Sequence, residues 1–358
     1  MSSSFPGISV NVFEPRQVYA TRVGDRKLVY LDHNAWIELR DATTPSARSC
    51  LEVCRKSVTE GRAVFPLALP AISEATEIAD KETRLRHADL LDSLSNGVTF
   101  RSPEVLFRLD AEAAYCWLFR DKEVVLTRQD VLTSVPDHVG EGQVTFPAGC
   151  RPEQIAKVVG EMAVDSRIRT VRFIAEQDHA GKKHPSVTGK FVQGMEDNRQ
   201  KRLEADKLPK QATFARSLLG ERVLLIKQYV ISVGRDLLIR EVGVNGLLAA
   251  IHDFRSRKGE GGRQRIKELF RRMPLLDQHA RLLALDAMEL GRYARSQDFY
   301  DVEHGTVAPV FADAFVTLDN RLARLVRDAG RGNATLITSL SELEVWLRSD
   351  AGSQAQSN

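Results

Sequence analysis

The chain has 358 residues, of which 43% are hydrophobic, and a formal net charge of +3 from 51 basic and 48 acidic side chains. This composition indicates a globular protein large enough for two structural units, and the nearly balanced charge permits a nucleic-acid partner without requiring one. Apolar runs stay well short of about 18 residues, and no basic-plus-apolar segment precedes the first predicted strand. The sequence therefore predicts a cytoplasmic protein that does not bind membranes.

The four cysteines indicate free thiols rather than a metal site. Cys50, Cys54, Cys116 and Cys150 form no CxxC pair, and only Cys50 and Cys54 share a helix face. A zinc site needs further ligands that the surrounding sequence does not supply. We therefore expect buried, unpaired cysteines.

The N-terminal part of the chain has the alternating strand and helix signals of an α/β domain. Residues 1–26 are predicted to be an irregular arm with one short strand at 8–13. The elements predicted next are strands at 27–31, 63–69 and 98–101 and helices at 34–40, 45–60 and 70–94. The first of these strands ends at Asp32, and Glu74 is predicted to lie in the first turn of the third helix.

From residue 104 to 292 the helical pattern takes over. Helices are predicted at 103–120, 151–164, 173–177, 197–208, 214–233, 247–257, 263–273 and 275–294, with an irregular stretch at 121–150. Two basic stretches here are candidates for contacts with nucleic-acid phosphates. They contain Lys182 and Lys183 and, in a glycine-rich segment predicted to be a flexible loop, Arg255, Lys258, Arg263 and Arg265.

Strand signals return near the C-terminus. Strands are predicted at 314–318 and 334–338, and helices at 320–329 and 341–348. Ser341 and Glu344 have the spacing of a capping box for the last helix, and the polar tail 349–358 is predicted to be disordered.

Carboxylates follow or precede several of the predicted strands. Asp32 and Asp319 each come at the end of an apolar strand, and the C-terminal ends of parallel strands form the crevice where ligands bind. Glu74 either points toward the same strand ends or only complements its helix dipole. With Asp301 these acids would repel one another unless a cation neutralised them, and Mg²⁺ or Mn²⁺ prefers oxygen ligands of this kind.

Further polar residues flank these four acids. Asp298 lies one helical turn before Asp301 and is a candidate extra ligand, and His304 lies one turn after it. Asn34 and Thr317 are candidates to orient the acids through hydrogen bonds. Asp313 precedes Asp319 by six residues, a span of ~20 Å along a strand, so we expect it to lie where the strand begins and to support the site only from outside.

The order of these acids resembles that of the PIN-domain ribonucleases. The resemblance rests on Val29-Tyr-Leu-Asp32, on residues 66–86 with Glu74, and on the run from Asp301 through Ala308 to Val316-Thr-Leu-Asp319. It covers residues 27–103 and 295–347. It implies a three-layer α/β/α domain with a mostly parallel central sheet, interrupted by a large all-helical insertion.

The domains implied are an arm at 1–26, a PIN-like domain at 27–103 and 293–348, a helical insertion at 104–292 and a disordered tail at 349–358. The resemblance further implies a metal-dependent endoribonuclease in which Asp32, Glu74, Asp301 and Asp319 hold one or two Mg²⁺ or Mn²⁺ ions. By family analogy, a toxin or defence role is a candidate.

Several alternatives stay open from the sequence. The substrate is RNA or, as for flap-endonuclease relatives, structured or single-stranded DNA. A catalytically silent RNA-binding module on the same fold is the alternative of a different class. The helical insertion is expected to serve as a lid or as a homodimer surface.

Overall fold

The computed structural model describes residues 8–11, 23–134, 143–146, 151, 153–154, 170–177, 193–194, 196–197, 210–226, 243–256, 260–289 and 295–354. The fold is mixed α/β and dominated by helices, as predicted. Its eight described strands are β1 Ile8–Asn11, β2 Lys27–Leu31, β3 Ala63–Val64, β4 Val98–Phe100, β5 Leu132–Ser134, β6 Gln143–Phe146, β7 Ala314–Val316 and β8 Thr335–Ile337. The parallel strand pairs are β2 with β3 and β7 with β8.

The described helices, numbered in chain order, are α1 His33–Asp41, α2 Pro45–Thr59, α3 Leu69–Glu77, α4 Lys81–Ser95, α5 Pro103–Arg120, α6 Arg128–Val131, α7 Val171–Glu176, α8 Lys210–Leu225, α9 Gly243–Ser256, α10 Glu260–Arg271, α11 Pro274–Asp286, α12 Ser296–Phe311, α13 Asn320–Ala329 and α14 Leu340–Gln354. None of the helices within the described residues combines the length and the apolar character that a membrane span requires.

The chain divides into two compact units, and the first comprises residues 1–101, 128–183 and 339–358. In it, β2 and β3 pair in parallel, with Lys27 opposite Ala63, while β1 pairs with β6 and β4 with β5 in antiparallel fashion. Tyr30 and Phe100 are fully buried, with ring centroids 6.0 Å apart. Tyr30 thereby anchors β2, the strand that Asp32 follows.

The second unit comprises residues 102–127 and 184–338. Its strands β7 and β8 pair in parallel, with Phe315 opposite Leu336. The buried carboxylate of Asp110 on α5 accepts hydrogen bonds from the backbone N–H groups of Leu275 and Leu276. Asp110 therefore caps the start of α11, although it lies on a different helix. Burial raises the pKa of Asp110 to about 8. The predicted domain boundaries do not coincide with these two units and stay a prediction.

Local sequence signals account for most helix boundaries. Thr44 accepts a hydrogen bond from the N–H of Ala47 and Pro45 occupies the first turn, so α2 begins where predicted. Helix α13 matches the prediction at both ends, because Asp319 caps its start and Gly330 takes the left-handed conformation after its last residue, with φ at 61°.

Three predictions about elements are wrong. The helix predicted at 70–94 is broken into α3 and α4, because Asp80 starts a new helix by accepting a hydrogen bond from the N–H of Thr83. The stretch 121–150 contains β5 and β6 rather than only irregular chain. Helix α14 is capped by Ser339 instead of Ser341 and continues to Gln354, so residues 349–354 are helical.

The cysteine prediction is confirmed for two residues and partly for a third. Cys50 and Cys54 are free and buried on α2, whereas the free thiol of Cys116 is only half-buried. Cys150 lies outside the described residues.

Candidate acidic site

Asp32 is placed by the junction of β2 and α1. It follows the last strand residue directly and is 2% exposed. Its carboxylate Oδ1 accepts a hydrogen bond of 2.8 Å from the backbone N–H of Ala35. The residue therefore caps α1, a structural role that the sequence reasoning did not assign to it.

Glu74 lies in the middle of α3 rather than in its first turn, because the helix begins at Leu69. It is 6% exposed, and its Oε2 lies 3.6 Å from Nδ1 of His33. His33 is the first residue of α1. The structure thus brings Glu74 to the residue that follows Asp32, and His33 is a member of the first unit's site that sequence reasoning missed.

Asp319 is held at the start of α13 in the second unit. Its Oδ1 accepts hydrogen bonds from the backbone N–H groups of Arg321, at 2.7 Å, and Leu322, at 2.9 Å. The hydroxyl oxygen of the buried Thr317 accepts from the N–H of Asp319 at 3.1 Å. Thr317 therefore fixes the backbone that carries the acid, in agreement with its predicted supporting role.

Asp298 and Asp301 project from α12, one helical turn apart. The helix begins at Ser296, so Asp301 does not open it as the resemblance implied. Asp298 instead lies in the first turn, where its Oδ2 accepts a hydrogen bond of 2.8 Å from the N–H of Arg295. Both acids are buried, Asp298 completely and Asp301 to 7% exposure.

Arg321 is the main residue of this site that sequence reasoning missed. Its guanidinium is near four carboxylates, and its side chain is only 18% exposed. Nη1 lies 3.2 Å from Oδ2 of Asp301 and 3.4 Å from Oδ1 of Asp298. The remaining two partners are Glu289, with Nε to Oε2 at 2.9 Å, and Asp286.

A sequence signal for Arg321 existed. A cation in the first turn of a helix opposes the helix dipole, so an arginine there indicates compensating acids nearby. Asp286 and Glu289 offered no comparable signal, because they belong to a segment read as one long amphipathic helix.

Among the described residues, the acids of this cluster outnumber its cations. Five carboxylates, those of Asp286, Glu289, Asp298, Asp301 and Asp319, lie around Arg321, and Arg324 adds one further ion pair to Glu289. Burial and the neighbouring charge of Asp319 raise the pKa of Asp301 to about 7, and Asp298 acts in the same direction. His304 and a hydrogen bond with Gln297 partly oppose that rise. The cluster is therefore negatively charged beyond what Arg321 neutralises.

The other predicted supporting residues differ in their placement. His304 is 2% exposed rather than on the helix surface, and its charge acts on Asp301. Asn34 is solvent-exposed on α1. Asp313 comes directly before β7, and its backbone carbonyl accepts a hydrogen bond from the N–H of Thr335, as expected of a residue where a strand begins.

The predicted nucleic-acid contacts are only partly visible. Arg263 and Arg265 are exposed on α10, so this part of the glycine-rich segment is helix and not a flexible loop. The backbone of Arg255 belongs to α9. Lys182, Lys183 and Lys258 lie outside the described residues.

Carboxylate oxygens are the hard ligands that Mg²⁺ or Mn²⁺ binds, and the excess negative charge of this cluster is compatible with a bound cation. Arg321 lies among the same carboxylates and neutralises part of their charge. Among the described residues, no group of three or more His, Cys, Asp or Glu side chains is arranged to hold a metal ion. No protein-family model, curated protein or solved structure matches the chain.

Proposed function

We propose that the protein is a metal-dependent endoribonuclease of the PIN-like class, with a three-layer PIN-like domain and a helical insertion. Asp32, Glu74, Asp301 and Asp319 are the proposed catalytic and metal-holding residues, and Asp298 is a further ligand. The observation that carries the proposal is the acid excess around Asp301, whose pKa is raised to about 7 by burial and by Asp319.

The acid excess supports a cation-binding function on physical grounds. Burying several carboxylates together costs folding free energy, because each loses water and repels its neighbours. Asp319 and Asp301 raise that cost mutually, and one guanidinium leaves it only partly compensated. A divalent cation would offset the remaining repulsion, so the arrangement is explained by a ligand of that charge.

The chain's own residues would hold and orient the ion and the substrate. When bound, a divalent cation polarises the scissile phosphate and makes an attacking water more acidic. Thr317 keeps the backbone of Asp319 in place through its hydroxyl. Arg321 lies 3.4 Å from Asp298 and 3.2 Å from Asp301, so its guanidinium would face a cation held by these acids.

The test is cleavage of single-stranded RNA in the presence of Mn²⁺, with Asp319→Asn as the deficient variant. Asparagine retains a side-chain oxygen and is as good a helix cap as aspartate, so the fold should survive. A neutral amide is a poor ligand for a hard cation, so we expect a loss of cleavage of at least about a hundredfold.

Asp313→Asn is the matched control, since it removes one carboxylate at the other end of the same strand. We expect it to retain most of the activity. Equal loss in the two variants at unchanged melting temperature would refute the assignment of Asp319. Cleavage of a flapped DNA but not of RNA would show that the substrate is DNA, and the assignment of the catalytic residues would stand.

A catalytically silent RNA-binding module is the second candidate, and Arg321 is the observation that favours it. An internal guanidinium that contacts Asp286, Glu289, Asp298 and Asp301 does part of what a metal would do. On this hypothesis the protein binds RNA without Mn²⁺, shows no Mn²⁺-dependent change in melting temperature and does not cleave.

A further inference from the structure

A second cluster in the second unit has the opposite charge balance. Three arginines, Arg222, Arg281 and Arg331, converge on the single carboxylate of Asp277, which is completely buried. The Nε atoms lie 2.7 Å from Oδ1 for Arg222, and 3.1 and 2.5 Å from Oδ2 for Arg281 and Arg331. Among the described residues, Asp277 is the only acid that pairs with any of the three.

The three guanidiniums are fixed by different elements. Arg222, on α8, lies over the ring of Phe270 at 4.2 Å and is 10% exposed. Arg281, on α11, donates to the carbonyl of Ala329 at the end of α13, at 3.3 Å. Arg331 follows the turn at Gly330, which has φ at 61° and closes α13. The cations are therefore held together before any ligand binds, which lowers the entropy cost of binding.

Within the part of the chain that the structure describes, the charges of this cluster do not balance. Three positive charges face one negative charge, and burial lowers the pKa of Arg222, with Arg281 and Arg331 acting in the same direction. The first turn of α11, where Asp277 lies, adds a partial positive charge, and the last turn of α13 adds a partial negative one. The sum remains about two positive charges, the amount that a phosphate group would neutralise.

The cluster is also accessible from solvent. The side chains of Arg281 and Arg331 are 22% and 27% exposed, while Asp277 is shielded beneath them. Arginine presents several N–H donors in a plane that matches the oxygens of a phosphate. Each of these two residues uses Nε on Asp277, and no described residue pairs with the outer nitrogen atoms of Arg331.

We propose that Arg222, Arg281 and Arg331 form a phosphate-binding site whose ligand is a backbone phosphate of the RNA substrate. This assignment of the ligand rests on the proposed function. The site lies at the end of α13, and Arg321 and Asp319 lie at its start, so one ten-residue helix of ~15 Å carries the phosphate anchor and the acidic cluster at opposite ends. The anchor offsets the repulsion between the acids and the RNA.

The first experiment measures binding of inorganic phosphate by melting temperature and calorimetry in buffer that contains EDTA. Arg331→Ala should weaken phosphate binding roughly tenfold, since it removes charge-assisted hydrogen bonds. Two arginines still face Asp277 in this variant, so the fold should persist. Arg271→Ala is the control, because it removes an exposed arginine of the same unit whose ion-pair partner among the described residues is Glu268. Identical phosphate affinity in wild type, Arg331→Ala and Arg271→Ala overturns the site.

The second experiment identifies the source of the phosphate. RNA binding is titrated at several salt concentrations on an Asp319→Asn background without divalent ions. Arg331→Ala should reduce the log-log salt slope by about one, and inorganic phosphate should compete with RNA. Unchanged RNA binding together with weakened phosphate binding would assign the site to free phosphate and overturn the RNA ligand. Neither readout needs cleavage. If Arg331→Ala weakens both phosphate and RNA binding but the protein cleaves no RNA, the proposed nuclease activity is refuted and the phosphate site stands.

Discussion

At the scale of single residues, the two strand-end acids serve helix geometry as well as charge. Asp32 caps α1 through Ala35, and Asp319 caps α13 through Arg321 and Leu322. Replacing such a cap by alanine commonly costs about 0.5–2 kcal/mol, whereas asparagine costs far less. The asparagine variants therefore separate the proposed metal-binding role from the observed capping role.

Asp32→Asn is expected to abolish Mn²⁺-dependent RNA cleavage without lowering the melting temperature. The amide still caps α1 but contributes no charge to a cation. Cleavage assays and melting curves on the same preparation check both statements.

Asp80→Asn is the matched control, because Asp80 caps α4 in the same unit through the N–H of Thr83 but is exposed. It should remain fully active. Full activity of Asp32→Asn would remove Asp32 from the mechanism.

His87 gives the protein an acid-sensitive stability. Its ring is completely buried on α4, neither ring nitrogen has a hydrogen-bond partner among the described residues, and burial, with His33 and Arg40, lowers its pKa to about 3. The unfolded chain takes up this proton near pH 6.5, so the native state is penalised as pH falls below that value, by about 1.4 kcal/mol per unit until the folded pKa is reached.

We expect His87→Leu to remove this penalty. Denaturant unfolding at pH 7.5 and pH 5.0 should show the wild type losing about 2 kcal/mol more than the variant between the two values. His252→Leu, at an exposed histidine of α9, should show the wild-type loss. Parallel losses in wild type and His87→Leu would mean that the ring finds a partner on protonation.

The sequence predicted the position of Asp32 and Asp319 after strands because apolar runs that stop on an acid are a local signal. A cation at the start of a helix was a local signal for Arg321, but its partners Asp286 and Glu289 could not be identified from the sequence, because they lie at and just after the end of α11, far from Arg321 along the chain. The burial of His304 could not be predicted either, since it depends on packing that a single helix does not reveal.

At the scale of elements, helix boundaries marked by a capping residue or a glycine were predictable, and boundaries without such a local signal were not. The bounds of α13 follow from Asp319 and Gly330. The break between α3 and α4 was missed because the segment around Asp80 contains no glycine or proline. Strands β4 and β5 stabilise each other by antiparallel pairing, with Val98 opposite Ser134, and that pairing cannot be read from the short segment 132–134 alone.

Gly332 marks a close approach between the turn after α13 and helix α12. A Cβ atom built on it would lie 2.2 Å from the carbonyl oxygen of Pro309, and the N–H of Ala334 donates to that same oxygen. Gly332→Ala should therefore destabilise the protein by about 1–3 kcal/mol, because backbone must shift to admit the methyl group.

Denaturant unfolding measures the free energy of unfolding of Gly332→Ala, and Gly220→Ala on α8 is the control variant. A Cβ atom at Gly220 meets nothing within 4 Å, and alanine favours the helix by roughly 0.5–1 kcal/mol. Stability changes of the same sign in both variants would contradict the close approach.

At the scale of the whole molecule, two basic regions are candidates to hold RNA. The sequence points to the glycine-rich basic segment with Arg255, Lys258, Arg263 and Arg265, and the structure adds the cluster around Asp277. Replacing the four residues together by alanine should weaken RNA binding and flatten its salt dependence by up to about one log unit for each phosphate that the variant no longer neutralises.

Fluorescent single-stranded RNA and DNA, titrated without divalent ions, provide the readout. An unchanged salt slope in the fourfold variant would show that this segment is only a solvated face. Combined with a shallower slope in Arg331→Ala, that result would place the affinity at the end of α13.

Asp32 and Asp319 each cap a helix in addition to the metal-binding role proposed for them, and this affects how the two positions would evolve. Selection for folding alone preserves an aspartate or asparagine at each helix start, whether or not a reaction is catalysed. A lineage that abandoned catalysis would thus drift at Glu74 and Asp301, which cap no helix, before it drifted at the two caps. Among descendants, the pattern of loss at Glu74 and Asp301 is therefore the more sensitive record of whether the chemistry was kept.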